Sequence, residues 1–230
     1  KMYLGTFFVP GLVLIQICLL FRGQKKRRKK TASAVAVLMV FILSCTGCAG
    51  IEPEKRMYPL AMGVDVSEGE YILTYAMPDL PRATGQGKEE EDGNQTLQVR
   101  GKSFEEIKSR YERSQEKYLD IGHLQILILS QDLTETDMWK DFFEYLREEP
   151  LAGENIYVFQ TQEPEKLLGW KEGGTSVGEY ITGLMENRMD REQKNGVTLR
   201  QVYYQWYQNG TLKKLPKITL SEDQIQVWLE

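Results

Sequence analysis

Residues 124–129 read L-Q-I-L-I-L, and this nearly unbroken aliphatic run constrains the fold more than any other stretch of the chain. A strand with one wet face alternates apolar and polar side chains. A strand that is apolar at almost every position has both faces covered, so the run predicts a central strand with helices packed around it. On this reading Leu124, Ile126 and Ile128 share one face, Leu127 and Leu129 line the other, and Gln125 is the polar exception. Shorter patterns alternate around it. Residues 60–66 and 71–77 are apolar runs of strand length separated by S-E-G-E, which predicts a hairpin. Ser103-Phe104-Glu105-Glu106 has the form of a capping box and opens a helix with Phe104, Ile107, Tyr111 and Tyr118 near one face. Met138, Trp139, Phe142, Phe143 and Leu146 recur at helical spacing, 156–159 is a strand, and 165–168, 180–185 and 199–206 read as helices. A strand pair at 218–220 and 225–229 ends the chain. The succession predicts an α/β or α+β fold with a small mixed sheet and flanking helices, preceded by a transmembrane segment and a lipoprotein signal sequence.

That signal lies at 34–43, ten apolar residues between K-K-R-R-K-K at 25–30 and S-C-T-G-C-A-G at 44–50. A basic start, a short apolar core and a small-residue exit mark an export signal rather than a spanning helix. Cys48, after Thr46-Gly47, completes a lipobox, in which the thiol takes a diacylglycerol and the peptide is cut just before it. Each buried methylene contributes about 0.8 kcal/mol, so two or three chains hold a protein where one anchors only marginally. Cys45, in I-L-S-C, is the alternative lipidation site, and it stands where a lipobox usually has Leu. The competing reading is an uncleaved signal anchor in which both are ordinary membrane cysteines. Residues 2–21 carry no charge over the roughly 20 residues that a bilayer crossing needs. The basic cluster that follows marks the cytoplasmic side, so this segment runs from outside to inside. The resulting division is 1–30, transmembrane helix and basic cytoplasmic tail; 31–47, signal apolar region; 48–215, the main domain; and 216–230, the start of a truncated second domain.

Charge and composition then exclude whole classes of function. Eight of the 29 Lys and Arg precede Cys48 and none of the 33 Asp and Glu does, so the part after it carries 21 basic against 33 acidic residues, near −12. Such a surface repels nucleic acid and anionic headgroups, and attachment to a membrane must come from lipid or protein. After Cys48 there is no cysteine and a single histidine, His123, which removes disulfides, Cys/His zinc sites and thiol catalysis together. His123 opens the aliphatic strand and reads as a structural residue. No G-x-S-x-G elbow and no phosphate loop accompanies it. The stretch 78–94, with E-E-E-D at 89–92, buries nothing and lacks the ligand spacing of a calcium loop, so it reads as a linker. Gly173-Gly174 before Thr175-Ser176 reads as a turn and N-cap, with an anion site as the sharper alternative. Tyr203, Tyr204, Trp206 and Tyr207 cover more than one face of a short helix, which predicts packing on one side and an interface on the other. No catalytic set, metal site or cofactor is expected.

The order of these elements resembles the GerC family, the lipoprotein C subunits of spore nutrient-germinant receptors. The resemblance rests on the lipobox, a strand ending G-V-D at 63–65, Q-V-R-G-K-S-F-E-E-I at 98–107, Y-L-D-I-G-H-L-Q-I-L-I-L-S at 118–130 and P-K-I-T-L at 216–220. Where members usually carry W-D-x-R-E after the lipid cysteine, residues 49–56 read A-G-I-E-P-E-K-R. The resemblance implies the amino-terminal domain of a non-enzymatic subunit, lipid-anchored on the extracytoplasmic face of the inner spore membrane. Its partners would be a membrane-bound A subunit and a permease-like B subunit, and residues 2–30 are similar to the last helix and tail of such a B subunit. Two other classes compete. An extracytoplasmic solute-binding lipoprotein needs a cleft, and a surface hydrolase needs a convergent catalytic set.

Overall fold

The hairpin predicted around S-E-G-E forms as β2 (Ala61–Ser67) and β3 (Glu70–Ala76), which pair antiparallel from Ser67↔Glu70 to Ala61↔Ala76. Its two-residue turn places Glu68 at φ 53° and Gly69 at φ 76°, the left-handed pair that matches the twist of the flanking strands. The computed structural model describes residues 52–78, 96–170, 175–187 and 196–228. The chain divides into two compact units, Lys1–Gly50 and Ile51–Glu230, and every described residue belongs to the second. The transmembrane and signal assignments, Cys45 and Cys48 therefore lie outside the described residues, as do 79–94 of the linker and Gly173-Gly174. Among the described residues no helix is long and apolar enough to cross a membrane.

The remaining strands are β1 (Arg56–Met57), β4 (Thr96–Gly101), β5 (Tyr118–Leu119), β6 (Ile126–Ser130), β7 (Tyr157–Thr161), β8 (Lys217–Ser221) and β9 (Gln224–Trp228). Seven of them make a mixed sheet in the order β4-β3-β2-β6-β7-β8-β9, a larger sheet than expected, while β1 and β5 pair separately. Strand β6 lies in the middle, parallel to β2 and β7, and all five of its residues are buried. Six helices accompany the sheet: α1 (Phe104–Ser114), α2 (Gln131–Glu135), α3 (Met138–Glu148), α4 (Pro164–Leu168), α5 (Val177–Glu186) and α6 (Leu199–Asn209). On one face Leu127 and Leu129 join Phe104, Leu133, Phe142, Phe143 and Val202 in a core supplied by α1, α2, α3 and α6. On the other, Ile126 and Ile128 join Phe159, Leu168 and Ile181 under α4 and α5. Helix α4 lies so close to β2 that a Cβ on Gly63 would stand 2.7 Å from Leu168 Cδ1.

Three expectations are corrected. Leu124 packs with Leu127 and Leu129 rather than with Ile126 and Ile128, because it caps a 3-10 turn at Ile121–His123 and the strand alternation starts only at Ile126. Helix α1 stops at Ser114, so Tyr118 falls in β5 and is 55% exposed instead of extending the apolar face. Ser103 does accept from Glu106 N at 3.2 Å, but the Glu106 carboxylate takes Lys102 N at 2.9 Å, one residue short of a reciprocal box. A complete box forms instead at Ser176, which accepts from Glu179 N while Glu179 accepts from Ser176 N. The residues assigned to the start of a second domain supply β8 and β9, the last two strands of this same sheet.

Candidate functional site

The first described residues are tied to the domain by a partly buried ion pair. After a 3-10 turn at Pro53–Lys55, β1 pairs parallel with β5, Arg56 beside Tyr118 and Met57 beside Leu119, and Asp120 N donates to Met57 O at 2.8 Å. Asp120 is only 6% exposed. Its Oδ2 accepts from Arg56 Nη1 at 2.6 Å and its Oδ1 from Gly122 N at 2.9 Å. Burial pushes the Asp120 carboxyl up, but the hydrogen bonds from Arg56 and Gly122 and the charges of Arg56 and His123 outweigh it, so the pKa lies below the ordinary value. The carboxylate is thus held charged by partners that satisfy both of its oxygens, as a buried charge requires. Beside the pair, Tyr111 Oη donates to Lys117 O at 3.0 Å, and Leu60 O accepts from Gln125 N at 2.9 Å and Ile126 N at 3.2 Å. The segment that follows Cys48 in sequence is thereby laced to the root of the central strand.

His123 does not open that strand. It closes the 3-10 turn, is exposed, and meets the ring of Tyr58 edge-on with centroids 4.9 Å apart. Its contact is with the clamped segment. Sequence reasoning missed Arg56 and Asp120 as a pair. They are 64 residues apart, and the one available signal was an acid standing inside an apolar stretch.

The aromatic cluster of α6 is divided between packed and exposed rings. Tyr203 Oη donates to Phe143 O at 3.2 Å and its ring meets Phe143 edge-on. Trp206 packs edge-on against Trp139 at 5.4 Å, and Lys140 Nζ lies 5.6 Å from the Trp139 ring on the outer side. Tyr207 stacks on Trp206, yet Tyr207 and Tyr204 remain 60% and 69% exposed. Arg147, on the neighbouring α3, pairs with Glu144. The result is a rigid aromatic ledge with cations beside it, a composition enriched at protein interfaces and uncommon elsewhere on surfaces. Trp206 and Tyr207 lose little freedom on contact because stacking already holds them.

Among the described residues no group of three or more His, Cys, Asp and Glu is placed to hold a metal ion. Ser176 is engaged by its capping box, which is the N-cap expected there; the turn expected at Gly173-Gly174 lies outside the described residues. Neither the curated proteins nor the solved structures match this chain. A family described as the spore germination protein N-terminal domain does match, over residues 50–220, from two residues past Cys48 into β8. The chain therefore belongs to that family, and with it to the proteins of spore germination.

Proposed function

We propose that this protein is the lipid-anchored, non-enzymatic subunit of a germinant receptor complex and supports nutrient-triggered germination through contacts with membrane-bound A and B subunits. The observation that carries the reading is the family match over 50–220, beginning just after the lipobox cysteine. Lipidation at Cys48, or at Cys45, on the extracytoplasmic face of the inner spore membrane would leave a short tether. Arg56 lies eight residues beyond Cys48, a reach of about 28 Å at full extension. A domain confined that close to a membrane meets membrane partners at an effective concentration on the order of millimolar. The acidic surface works against binding headgroups directly, so anchor and protein contacts carry the attachment. The ledge of Tyr204, Trp206 and Tyr207 is the surface best suited to those contacts.

The test compares spores carrying the native chain, a Cys48→Ala variant and an untethered form beginning at residue 51. Cys48→Ala should abolish fatty-acid labelling, and both altered forms should give little nutrient response at native expression, with partial recovery on overexpression. Labelling that persists in Cys48→Ala and disappears only in Cys45→Ala would move the anchor to Cys45. Full nutrient response from the untethered form at native level would refute the tethering argument, and substrate turnover abolished by a point change that leaves the fold intact would refute the non-enzyme reading.

A further inference from the structure

Burial changes abruptly between residues 58 and 59. None of residues 52–58 is buried, Pro59 is, and the strand that follows is buried from Ala61 to Val64. Backbone attachment changes at the same place. Leu60 N donates to Ala76 O at 3.1 Å and Leu60 O accepts from Gln125 N and Ile126 N, so this residue is fixed at once to the β2–β3 hairpin and to the root of β6. Ahead of it, the two-residue β1–β5 ladder carries the backbone contact, with Asp120 N on Met57 O. Side chains add the Arg56–Asp120 pair, the ring of Tyr58 edge-on to His123, and Met57 Sδ at 3.6 Å from Tyr111 Oη. A segment that buries no side chain gives up little apolar contact when it lifts, whereas β6 opens only with both layers of the core.

Two features set this segment apart from a frayed terminus. Closing it supplies a guanidinium to a carboxylate that the domain keeps inside, and a buried charge left without its partner is costly. Pro59 also biases Tyr58 toward extended backbone, so the residue that leads out of β1 keeps its conformation whether or not the ladder is made. Beneath the segment lie Leu119, which pairs with Met57 and packs on the core, and Tyr111, which is 5% exposed.

We infer that residues 52–58 are a releasable strap, which lifts from β5 as a unit about Pro59 and Leu60 while the seven-stranded sheet stays folded, baring Tyr111, Leu119 and the Asp120 carboxylate. The device belongs to the domain itself and needs neither lipid nor partner, so its failure leaves the germination reading intact. The test is hydrogen exchange of the full chain in detergent, read at single amides over urea concentrations below the unfolding transition. The residue 120 amide should exchange about tenfold or more faster than those of 127–129, at a rate that hardly changes with urea because lifting the strap exposes little surface, while the core amides speed up steeply. Arg56→Gln should speed exchange at residue 120 about fivefold or more. Tyr58→Ala touches neither the ladder nor the ion pair, yet should speed the same amide about threefold, because a unit loses all its contacts together. Far-UV circular dichroism should be unchanged in both variants. If residue 120 matches the core amides in rate and urea dependence, the segment opens only with the whole domain; if it exchanges as fast as unstructured chain, nothing holds it; and if it is indifferent to Tyr58→Ala or to Arg56→Gln, the contacts do not release together. Each of these results would overturn the inference.

Discussion

Removing Asp120 tests whether the segment around Arg56 is held by its ion pair. The side chain of Asp120 is 8% exposed and that of Arg56 29%, with 2.6 Å between their charged atoms. Breaking a fully buried pair typically costs 3–5 kcal/mol, because one charge is left stranded. Arg56 is partly wet and rehydrates when its partner goes, while Gly122 N loses a charge-assisted bond. Asp120→Ala should therefore cost about 2–3 kcal/mol, and Asp120→Asn, which keeps an oxygen for Gly122 N, about 1–2 kcal/mol. A double-mutant cycle with Arg56→Ala should return a coupling of about 1–2 kcal/mol. The clamp closes a short peripheral ladder, so it can open without the core. Hydrogen exchange at the residue 120 amide, which donates to Met57 O, should then accelerate about 30-fold for a loss of 2 kcal/mol. The pair also carries a pH dependence. Its carboxyl has a lowered folded pKa, so its contribution is complete above the ordinary aspartate value of about 3.9 and is lost as pH falls through the lowered one. Asp120→Asn should remove that component from the acid limb. A coupling under about 0.3 kcal/mol, or an unaltered residue 120 amide, would show that the pair holds nothing.

Ile128→Ala, at a fully buried position among Phe159, Leu168 and Ile181, should cost about 2–5 kcal/mol in urea unfolding; a cost below about 1 kcal/mol would mean that β6 is not central. Gly178→Ala gains about 1 kcal/mol of helix propensity but puts a Cβ 2.7 Å from Leu60 Cβ and 3.0 Å from its carbonyl carbon. Backbone must move to admit it, at about 1–3 kcal/mol, so melting should occur at lower temperature, and an unchanged or higher Tm would contradict the packing. Tyr204→Ser with Tyr207→Ser removes two exposed rings and should change stability by under about 0.5 kcal/mol each, while reducing recovery of the A and B subunits in a detergent pull-down. Undiminished recovery would take the ledge out of the interface.

Local pattern carried the sequence reading as far as local pattern can reach. The hairpin around Gly69, the double-sided burial of β6 and the apolar spacing of Trp139, Phe142, Phe143 and Leu146 follow from periods of 2 and 3.6 acting within one element, and each element formed. The misreadings fall at element ends. Leu124 was given the alternation of a strand it precedes, and Tyr118 the face of a helix that had ended at Ser114. What joins distant segments left little trace. No periodicity couples Arg56 to Asp120, and nothing in P-K-I-T-L tells that β8 meets β7 at one pair because Val197 and Leu199 have taken the rest of the edge. The overhang of β8 past β7 exists only through that competition for backbone hydrogen bonds, so it was illegible until the strands were placed.

The same contrast shows within one short stretch, residues 118–124. Y-L-D-I-G-H-L does three jobs in seven residues: Tyr118 and Leu119 pair with β1, Asp120 takes Arg56, and His123 meets Tyr58. All three partners lie in residues 56–58, so the stretch as a whole is a receptor for that segment. A load applied ahead of Glu52 would reach first the two-residue β1–β5 ladder and its ion pair, and then Leu60, whose carbonyl takes both Gln125 N and Ile126 N. Beyond that point lies β6, buried on both faces and the least yielding part of the sheet. In the lipid-anchored form proposed above, the clamp therefore decides whether the tether ends at Arg56, with the domain held in a fixed orientation to that segment, or a few residues later at Leu60, with the domain free to swing.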